Sequence, residues 1–211
     1  MSGDAKPLDG THGPTPRPSG RAEITPPEQS DEAQIPALAR RAVETYVRER
    51  RVLDGDRAPG LSVLLQPAAC FVSIKTVSGD LRGCIGTIEP SRRTLAEEII
   101  INAVNAATRD PRFIPVEERE LPSLRYSVDV LSEPEPTRFK SLNPSLYGVI
   151  VEDQTGTRRG LLLPDIEGVE TSTQQMQIAA RKAGIDPDEP LRLFRFQVTR
   201  FREFGKHTSS D

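Results

Sequence analysis

The stretch LRGCIGTI at residues 81–88 decides most of what the sequence predicts, because it places one of the two cysteines of the chain between two glycines. The rest of the stretch has the composition of a β-strand. Glycine in a strand interior costs stability, so Gly83 and Gly86 indicate that other atoms approach the backbone closely there. Cys84, which lies between them, is the candidate catalytic residue.

Working outward, residues 70–77 and 81–88 predict the two strands of a hairpin, because a glycine-containing turn separates two runs of strand-forming residues. The register depends on which two residues form the loop. One choice pairs Cys84 with Ser73 across the strands, and the other pairs it with Lys75. The sequence leaves both registers open.

The hairpin is expected to have one apolar and one polar face, because side chains alternate along a strand. The expected core face holds Val72, Ile74, Leu81 and Ile85. The expected polar face holds Ser73, Lys75, Arg82, Cys84 and Gly86. Cations at Arg82 and Lys75 would favour the thiolate form of Cys84. The alternative is that Cys84 is a small buried residue with a structural role. In either register Cys70 lies on the opposite face, so no disulfide is expected between the two cysteines.

The rest of the chain predicts an α+β fold with a mainly antiparallel sheet, because hairpins alternate with single helices. We expect three helices, over residues 33–51, from a cap at Ser91 or Thr94 to residue 108, and over residues 172–183. We expect further strands over residues 124–130, 147–152, 159–163 and 194–199. Thr171 or Ser172, with Gln174 or Gln175 three residues on, predicts a capping box at the start of the last helix.

Composition sets the domain boundaries. Residues 1–31 contain six of the nineteen prolines and no apolar run, which predicts a disordered tail. The folded domain is expected over residues 32–206, followed by a short C-terminal tail at 207–211.

The net charge is −3, of which the first 31 residues carry −2. This near balance argues against nucleic-acid and anionic-membrane partners. Without an apolar signal or spanning segment, a cytoplasmic location is expected, where cysteines stay reduced.

Several kinds of site find no support in the residues. The two histidines, His12 and His207, lie outside the expected folded middle, so a Cys–His dyad is not expected. No metal site is expected, because the acidic pair Glu97–Glu98 is typical of a solvated helix face. No cofactor is expected either, since residues 83–86 lack the spacing of a phosphate-binding loop.

A second segment of interest is DPRF at residues 110–113. As a structural element, Asp110–Pro111 ends a helix, because the residue before proline avoids helical angles. As part of a site, Asp110 and Arg112 would project beside the thiol. Four arginines near the C-terminus offer a third, weaker hypothesis, RNA binding: Arg192, Arg195, Arg200 and Arg202. Their alternation with apolar residues is also that of an ordinary exposed strand face.

Together the motifs closely resemble the AMMECR-type domain, the A component of the proteins called AmmeMemoRadiSam. The resemblance rests on LRGCIG, on DPRF, on YSVDVLSEPEP at residues 126–136 and on GLLLP at residues 160–164. It covers residues 35–204. It implies an α+β fold of two packed subdomains with a cleft at the cysteine motif. It also implies a Memo-like protein and a radical S-adenosylmethionine protein as partners, but no assigned activity.

Two function hypotheses arise from these features. In the first, the protein is an enzyme or enzyme subunit that uses Cys84 on a small-molecule or peptide ligand. In the second, it is a non-catalytic adaptor for those two partners. The residues expected to bind or orient a ligand around Cys84 are Lys75, Arg82, Gly83, Gly86, Thr87, Glu89, Asp110 and Arg112.

Overall fold

Two four-stranded antiparallel sheets and three α-helices make up residues 31–186 and 189–203, the part of the chain that the computed structural model describes. The predicted α+β class is therefore confirmed. The predicted tails lie outside these residues, except for Asp31, which begins the first helix. The helices are α1 (Asp31–Glu49), α2 (Leu95–Thr108) and α3 (Ser172–Lys182). The strands are β1 (Cys70–Thr76), β2 (Leu81–Gly86), β3 (Leu124–Leu131), β4 (Glu135–Pro136), β5 (Gly148–Asp153), β6 (Arg159–Leu162), β7 (Leu191–Phe196) and β8 (Val198–Arg202).

The first sheet has the strand order β2-β1-β3-β8, and helices α1 and α2 cover one of its faces. Helix α2 begins where the Thr94 side chain accepts a hydrogen bond from the Glu97 backbone at 3.2 Å. Its buried stripe packs Leu95 and Ile99 against the sheet, and each such side chain contributes roughly 1.5–3 kcal/mol by leaving water. The helix ends before Asp110, as the following proline predicts.

The second sheet has the order β4-β7-β5-β6, with α3 packed against it. The predicted capping box is present, because Thr171 and Gln174 each bond the backbone of the other. A separate core lies between the two sheets and joins the subdomains. Its buried members are Ala69, Leu131, Ile150, Leu161 and Phe196. The molecule therefore has the two packed subdomains that the resemblance implies.

The last predicted strand, residues 194–199, is two strands that belong to different sheets. Strand β7 ends at Phe196 in the second sheet, and β8 begins at Val198 in the first. At the break, the Gln197 backbone donates to Ser132 Oγ at 3.0 Å and accepts from the Ser132 backbone at 2.9 Å. Phe196 and Val198 both pack into the core between the sheets. The apolar alternation therefore continues across the break and gives no sign of it.

The hairpin of β1 and β2 pairs Ser73 with Cys84, which is one of the two registers that the sequence allows. A register shift between Ile74 and Lys75 then places Lys75 opposite Leu81. This irregularity explains one wrong prediction. Leu81 is not in the core as expected but is 38% exposed, because the shift interrupts the alternation before that residue.

Candidate functional site

Cys84 lies on the sheet face that points away from α1 and α2, and it is partly exposed. Its sulfur accepts a hydrogen bond from the Ser73 hydroxyl on the neighbouring strand, with 3.2 Å between Oγ and Sγ. A hydroxyl donor stabilises negative charge on the atom that it faces. The register that brings Ser73 to Cys84 therefore also supplies the thiol with a polar partner.

The backbone of Cys84 is held by Asp110, which follows the end of α2. The Cys84 N–H donates to Asp110 Oδ2 at 2.9 Å, and Asp110 is only 4% exposed. Arg112 fixes this carboxylate with two guanidinium contacts at 2.9 and 2.7 Å and a backbone contact at 3.1 Å. The hydrogen bonds from Arg112 hold the pKa of Asp110 well below its usual range.

Asp110 and Arg112 therefore lie beside the thiol, as the DPRF segment predicts. Arg112 is near enough to Cys84 to interact with it electrostatically. Asp110 also closes a turn, since its carbonyl accepts from the Phe113 backbone at 3.1 Å. The structural and the functional interpretation of this segment thus describe the same contacts.

Arg82 does not flank the thiol in the expected way. Its guanidinium bonds both carboxylate oxygens of Glu120 at 2.8 and 3.0 Å and the Ile114 carbonyl at 2.9 Å. These contacts lower the pKa of Glu120. Lys75 is also displaced, because it pairs with Leu81 and is exposed. The cation beside Cys84 is therefore Arg112. The prediction that Arg82 and Lys75 flank the thiol is corrected to this one residue.

Gly83 and Gly86 do mark close approaches to the backbone, but protein atoms make them. A Cβ on Gly83 would lie 2.1 Å from the Ala106 carbonyl oxygen of α2. A Cβ on Gly86 would lie 2.3 Å from the ring of Phe71 on β1. The expectation that these glycines admit a ligand is therefore not met. They allow a helix and an aromatic ring to pack directly on the strand.

Thr87 belongs to a network around the buried carboxylate of Glu98. The Thr87 hydroxyl donates to Glu98 at 2.6 Å, and the backbone N–H groups of Ser91 and Arg92 each donate at 2.9 Å. Glu98 is 1% exposed, so the expectation that Glu97–Glu98 forms a solvated face is wrong for Glu98. Its helical spacing from Leu95 and Asn102 was the signal that sequence reasoning missed.

Glu89 points to the second subdomain, where it pairs with Arg159 of β6. The expectation that it orients a substrate at Cys84 is not met by this geometry, because its carboxylate joins the two subdomains. A recess of about 320 Å³ adjoins the cysteine motif instead on the other side, at Arg82, Phe113 and Ile114. The guanidinium groups of Arg82 and Arg112 both lie over the Phe113 ring there, at 6.0 and 5.4 Å from its centroid.

The second cysteine has the opposite environment. Cys70 is fully buried on the core face of β1, where the Asn102 amide donates to its carbonyl at 3.1 Å. Burial raises the pKa of the Cys70 thiol to about 12. Both cysteines are free thiols, and they lie on opposite faces as predicted. Cys70 is thus an unreactive internal reference for Cys84.

Residues 31–186 and 189–203 contain no group of three or more His, Cys, Asp or Glu side chains that is suited to a metal ion. None of the helices in this same part of the chain has the length and apolar content needed to cross a membrane. Of the four C-terminal arginines, three are neutralised by carboxylates: Arg192 by Glu152, Arg195 by Glu135 and Arg200 by Asp129.

Comparisons with known proteins agree with this fold. A protein from Thermotoga maritima is 47% identical over 164 residues, which cover 77% of this chain and 93% of that protein. A protein from Clostridium acetobutylicum is 51% identical over 133 residues, which are 63% of this chain but only 28% of that longer relative. The crystal structure of an uncharacterized protein from Pyrococcus horikoshii matches with a TM-score of 0.71 and 30% identity, over 80% of this chain and 89% of that one.

The family model described as AMMECR1 matches residues 36–202, which is most of the chain and nearly all of its described part. The match includes both sheets, all but the start of α1, and every residue of the site around Cys84. Together with the identity to the Thermotoga protein, this match shows the family. The chain belongs to the AMMECR1 family.

Proposed function

We propose that the protein is an enzyme or enzyme subunit whose reactive centre is the Cys84 thiol. The observation that carries this proposal is the set of polar contacts around one partly exposed cysteine. Ser73 donates to its sulfur, and the buried Asp110, clamped by Arg112, holds its backbone. A cysteine retained only for packing needs neither contact.

The chemistry that fits is addition of the sulfur to the electrophilic carbon of a carbonyl or a conjugated alkene. The S–C bond forms as the π bond breaks, and the atom that receives the π electrons takes up a proton through solvent in place of the one that the thiol loses. Both histidines of the chain, His12 and His207, lie outside the described residues. The described part therefore offers Ser73 as the hydroxyl beside the sulfur and Arg112 as the nearby cation. The ligand would be a small molecule or a peptide that approaches Cys84 on the sheet face that points away from α1 and α2.

Alkylation by iodoacetamide tests this proposal, with Cys70 as the reference inside the same molecule. Mass spectrometry of the digested protein would give the labelling rate of each cysteine as a function of pH. We expect Cys84 to react faster than in the urea-denatured chain and Cys70 to be protected. A rate for Cys84 no higher than that of the denatured chain would end the proposal.

A matched pair of serine variants tests the role of the hydroxyl. Ser73→Ala removes the donor to the sulfur, and we expect it to slow the labelling of Cys84 about three- to tenfold, since a hydrogen bond to a charged group contributes roughly 1.5–3 kcal/mol when buried and less when partly exposed. Ser127 lies directly opposite Ser73 on β3, one strand further from Cys84, and the hydroxyl that donates to the sulfur is that of Ser73. Ser127→Ala should therefore leave the rate unchanged.

A second candidate function is a non-catalytic adaptor for a Memo-like and a radical S-adenosylmethionine partner. Two exposed apolar side chains near β2 favour it, Ile114 at 73% and Leu81 at 38% exposure. The longer Clostridium relative, in which the matched region is only 28% of the chain, also supports association with further domains. The absence of a disulfide between Cys70 and Cys84 supports a cytoplasmic location for such a complex.

Co-purification with the two partners separates the candidates. If Cys84→Ser keeps partner binding but abolishes product formation, the thiol is catalytic. If Ile114→Glu weakens binding while Cys84→Ser changes nothing, the adaptor function is favoured. Leu65, which is 61% exposed on a distant short helix, provides the matched control in Leu65→Glu. If these variants lose neither partner binding nor product formation, both proposed functions are contradicted.

A further inference from the structure

A cavity of about 530 Å³ lies where β8 of the first sheet meets two loops of the second. The second sheet contributes Ser145, Leu146, Pro164 and Asp165, and β8 contributes Val198, Arg200, Phe201 and Arg202. None of the residues 81–88 lines it, and β8 is the edge strand opposite to β2. The cavity is therefore distinct from the site around Cys84, and ligand binding in it does not depend on the reaction of that thiol.

The two arginines of the cavity differ in what they already bind. Arg200 bonds both carboxylate oxygens of the buried Asp129, at 2.6 and 3.0 Å, which fixes its guanidinium and neutralises its charge. Arg202 is exposed, and within residues 31–186 and 189–203 its side chain has no hydrogen bond or ion pair. Its planar fork of donors, which matches a carboxylate in two-point contact, is thus available to a ligand.

The lining also contains a carboxylate, which limits the charge of the ligand. Asp165 lies near enough to Arg200 to interact with it electrostatically. With Arg200 already balanced by Asp129, Asp165 leaves negative charge in the cavity beside the single available cation of Arg202. Arg202 and Asp165 offset each other in net charge, so a dianion would meet more repulsion from Asp165 than a monoanion that pairs with the Arg202 guanidinium. The charge pattern therefore favours a carboxylate over a phosphate dianion.

The walls of the cavity are held rigidly and include apolar surface. The Asp165 backbone donates to the Pro144 carbonyl at 2.8 Å, and Asp165 adopts a φ of +55°, a left-handed conformation that Asp tolerates better than most non-glycine residues. The fully buried Gln175 ties the adjoining strand ends by donating to the Tyr147 carbonyl at 2.8 Å. Leu146, which is 60% exposed, offers its side chain to an apolar ligand group.

We infer that this cavity binds a small organic monocarboxylate with an apolar body. The carboxylate pairs with the Arg202 guanidinium, and the apolar body lies against Leu146, Pro164 and Val198. A pocket between two packed subdomains, with apolar walls and a few converging polar groups, is the usual setting for small-molecule binding. The site lies on the same sheet face as Cys84 but across three strands from it.

NMR titration of the full-length protein with hydrocinnamate tests the inference. We expect saturable shifts of the backbone amides at residues 145–146, 165 and 198–202. Arg202→Gln should raise the Kd at least about tenfold, the change that corresponds to roughly 1.4 kcal/mol. Arg41→Gln, at an exposed position on α1, should leave the Kd unchanged. Hydrocinnamyl alcohol, the neutral analogue, and phenyl phosphate, a dianion at neutral pH, should both bind more weakly.

Three results would overturn the inference: failure of hydrocinnamate to bind, an unchanged Kd in Arg202→Gln, or alcohol binding as tight as that of the carboxylate. Phenyl phosphate binding more tightly than hydrocinnamate would refute the assigned ligand class. Shifts confined to residues 81–88 would place the carboxylate at the Cys84 site, which would refute this cavity and leave the thiol proposal standing. Slow alkylation of Cys84 has no bearing on this titration, so the two proposals fail separately.

Discussion

Replacing Gly83 with alanine tests whether the glycines of the cysteine motif admit a ligand or a helix. The new Cβ would lie 2.1 Å from the Ala106 carbonyl oxygen and 3.0 Å from its carbonyl carbon, where ordinary van der Waals contact begins at 3.4 Å. Both atoms are helix backbone, so α2 must move away from β2. Overpacking of this kind costs typically 1–3 kcal/mol, and a rigid backbone partner puts Gly83→Ala near about 3 kcal/mol. For a domain of this size, that loss lowers Tm by about 6–12 °C.

Urea unfolding followed by circular dichroism measures the free energy of unfolding directly. The matched control is Gly60→Ala, because a Cβ there would meet no atom within 4 Å and its φ lies outside the left-handed region. It should leave the free energy of unfolding unchanged or raise it by up to about 1 kcal/mol. If Gly83→Ala is as stable as Gly60→Ala, the packing of α2 on β2 does not require a glycine at position 83. The glycine would then have to be explained by the close approach of a ligand.

Three further predictions concern buried polar groups. Glu98→Gln should destabilise the protein by about 2–4 kcal/mol and speed amide hydrogen exchange at residues 87–92, because four donors lose their charged acceptor. Unchanged exchange at these residues would contradict the prediction. Because Arg112 lowers the pKa of Asp110, the ionised carboxylate stabilises the folded protein above about pH 4, and this stabilisation is lost as the pH falls below that value. Asp110→Asn should remove about 1–2 kcal/mol of this acid dependence, a figure discounted because Arg112 is exposed. If the variant and the original protein show the same dependence of unfolding on acid pH, the contact between Arg112 and Asp110 is not stabilising. Because burial raises the pKa of Cys70, the free energy of unfolding should fall as the pH rises above about 9, by up to about 1.4 kcal/mol per pH unit. In urea titrations at several pH values, Cys70→Ala should reduce this slope. An equal slope in both proteins would show that the thiol ionises in the folded state.

Local patterns in the sequence predicted the elements of the fold well. The β1–β2 hairpin, the Thr94 cap of α2 and the Thr171 capping box all depend on residues a few positions apart, and the structure contains each of them. The position of Asp110 beside Cys84 also follows from one short segment that ends α2. In these cases the chemistry that fixes the geometry is local, so periodicity and capping rules suffice.

The sequence-based predictions failed where the position of a side chain depends on a partner that is far away along the chain. Arg82 turns away from Cys84 because Glu120, which lies 38 positions along the chain, binds it at two points. No rule of alternation identifies such a partner. The register shift beside Lys75 is a backbone irregularity that moves Leu81 out of the core without any change in composition. Sequence patterns therefore placed the thiol but misidentified the cation beside it.

The position of β8 has a consequence for how the protein is made on the ribosome. This strand completes the first sheet, yet it is synthesised after the whole second sheet. Glu203, just beyond it, also binds Arg40 of α1 at 2.6 and 2.7 Å and the Tyr126 backbone at 3.1 Å. In a nascent chain that still holds β8 and Glu203 in the exit tunnel, α1 and α2 lie over a three-stranded sheet in which the edge of β3 is unpaired. The first sheet therefore reaches its native state only after the whole second sheet and β8 have been synthesised.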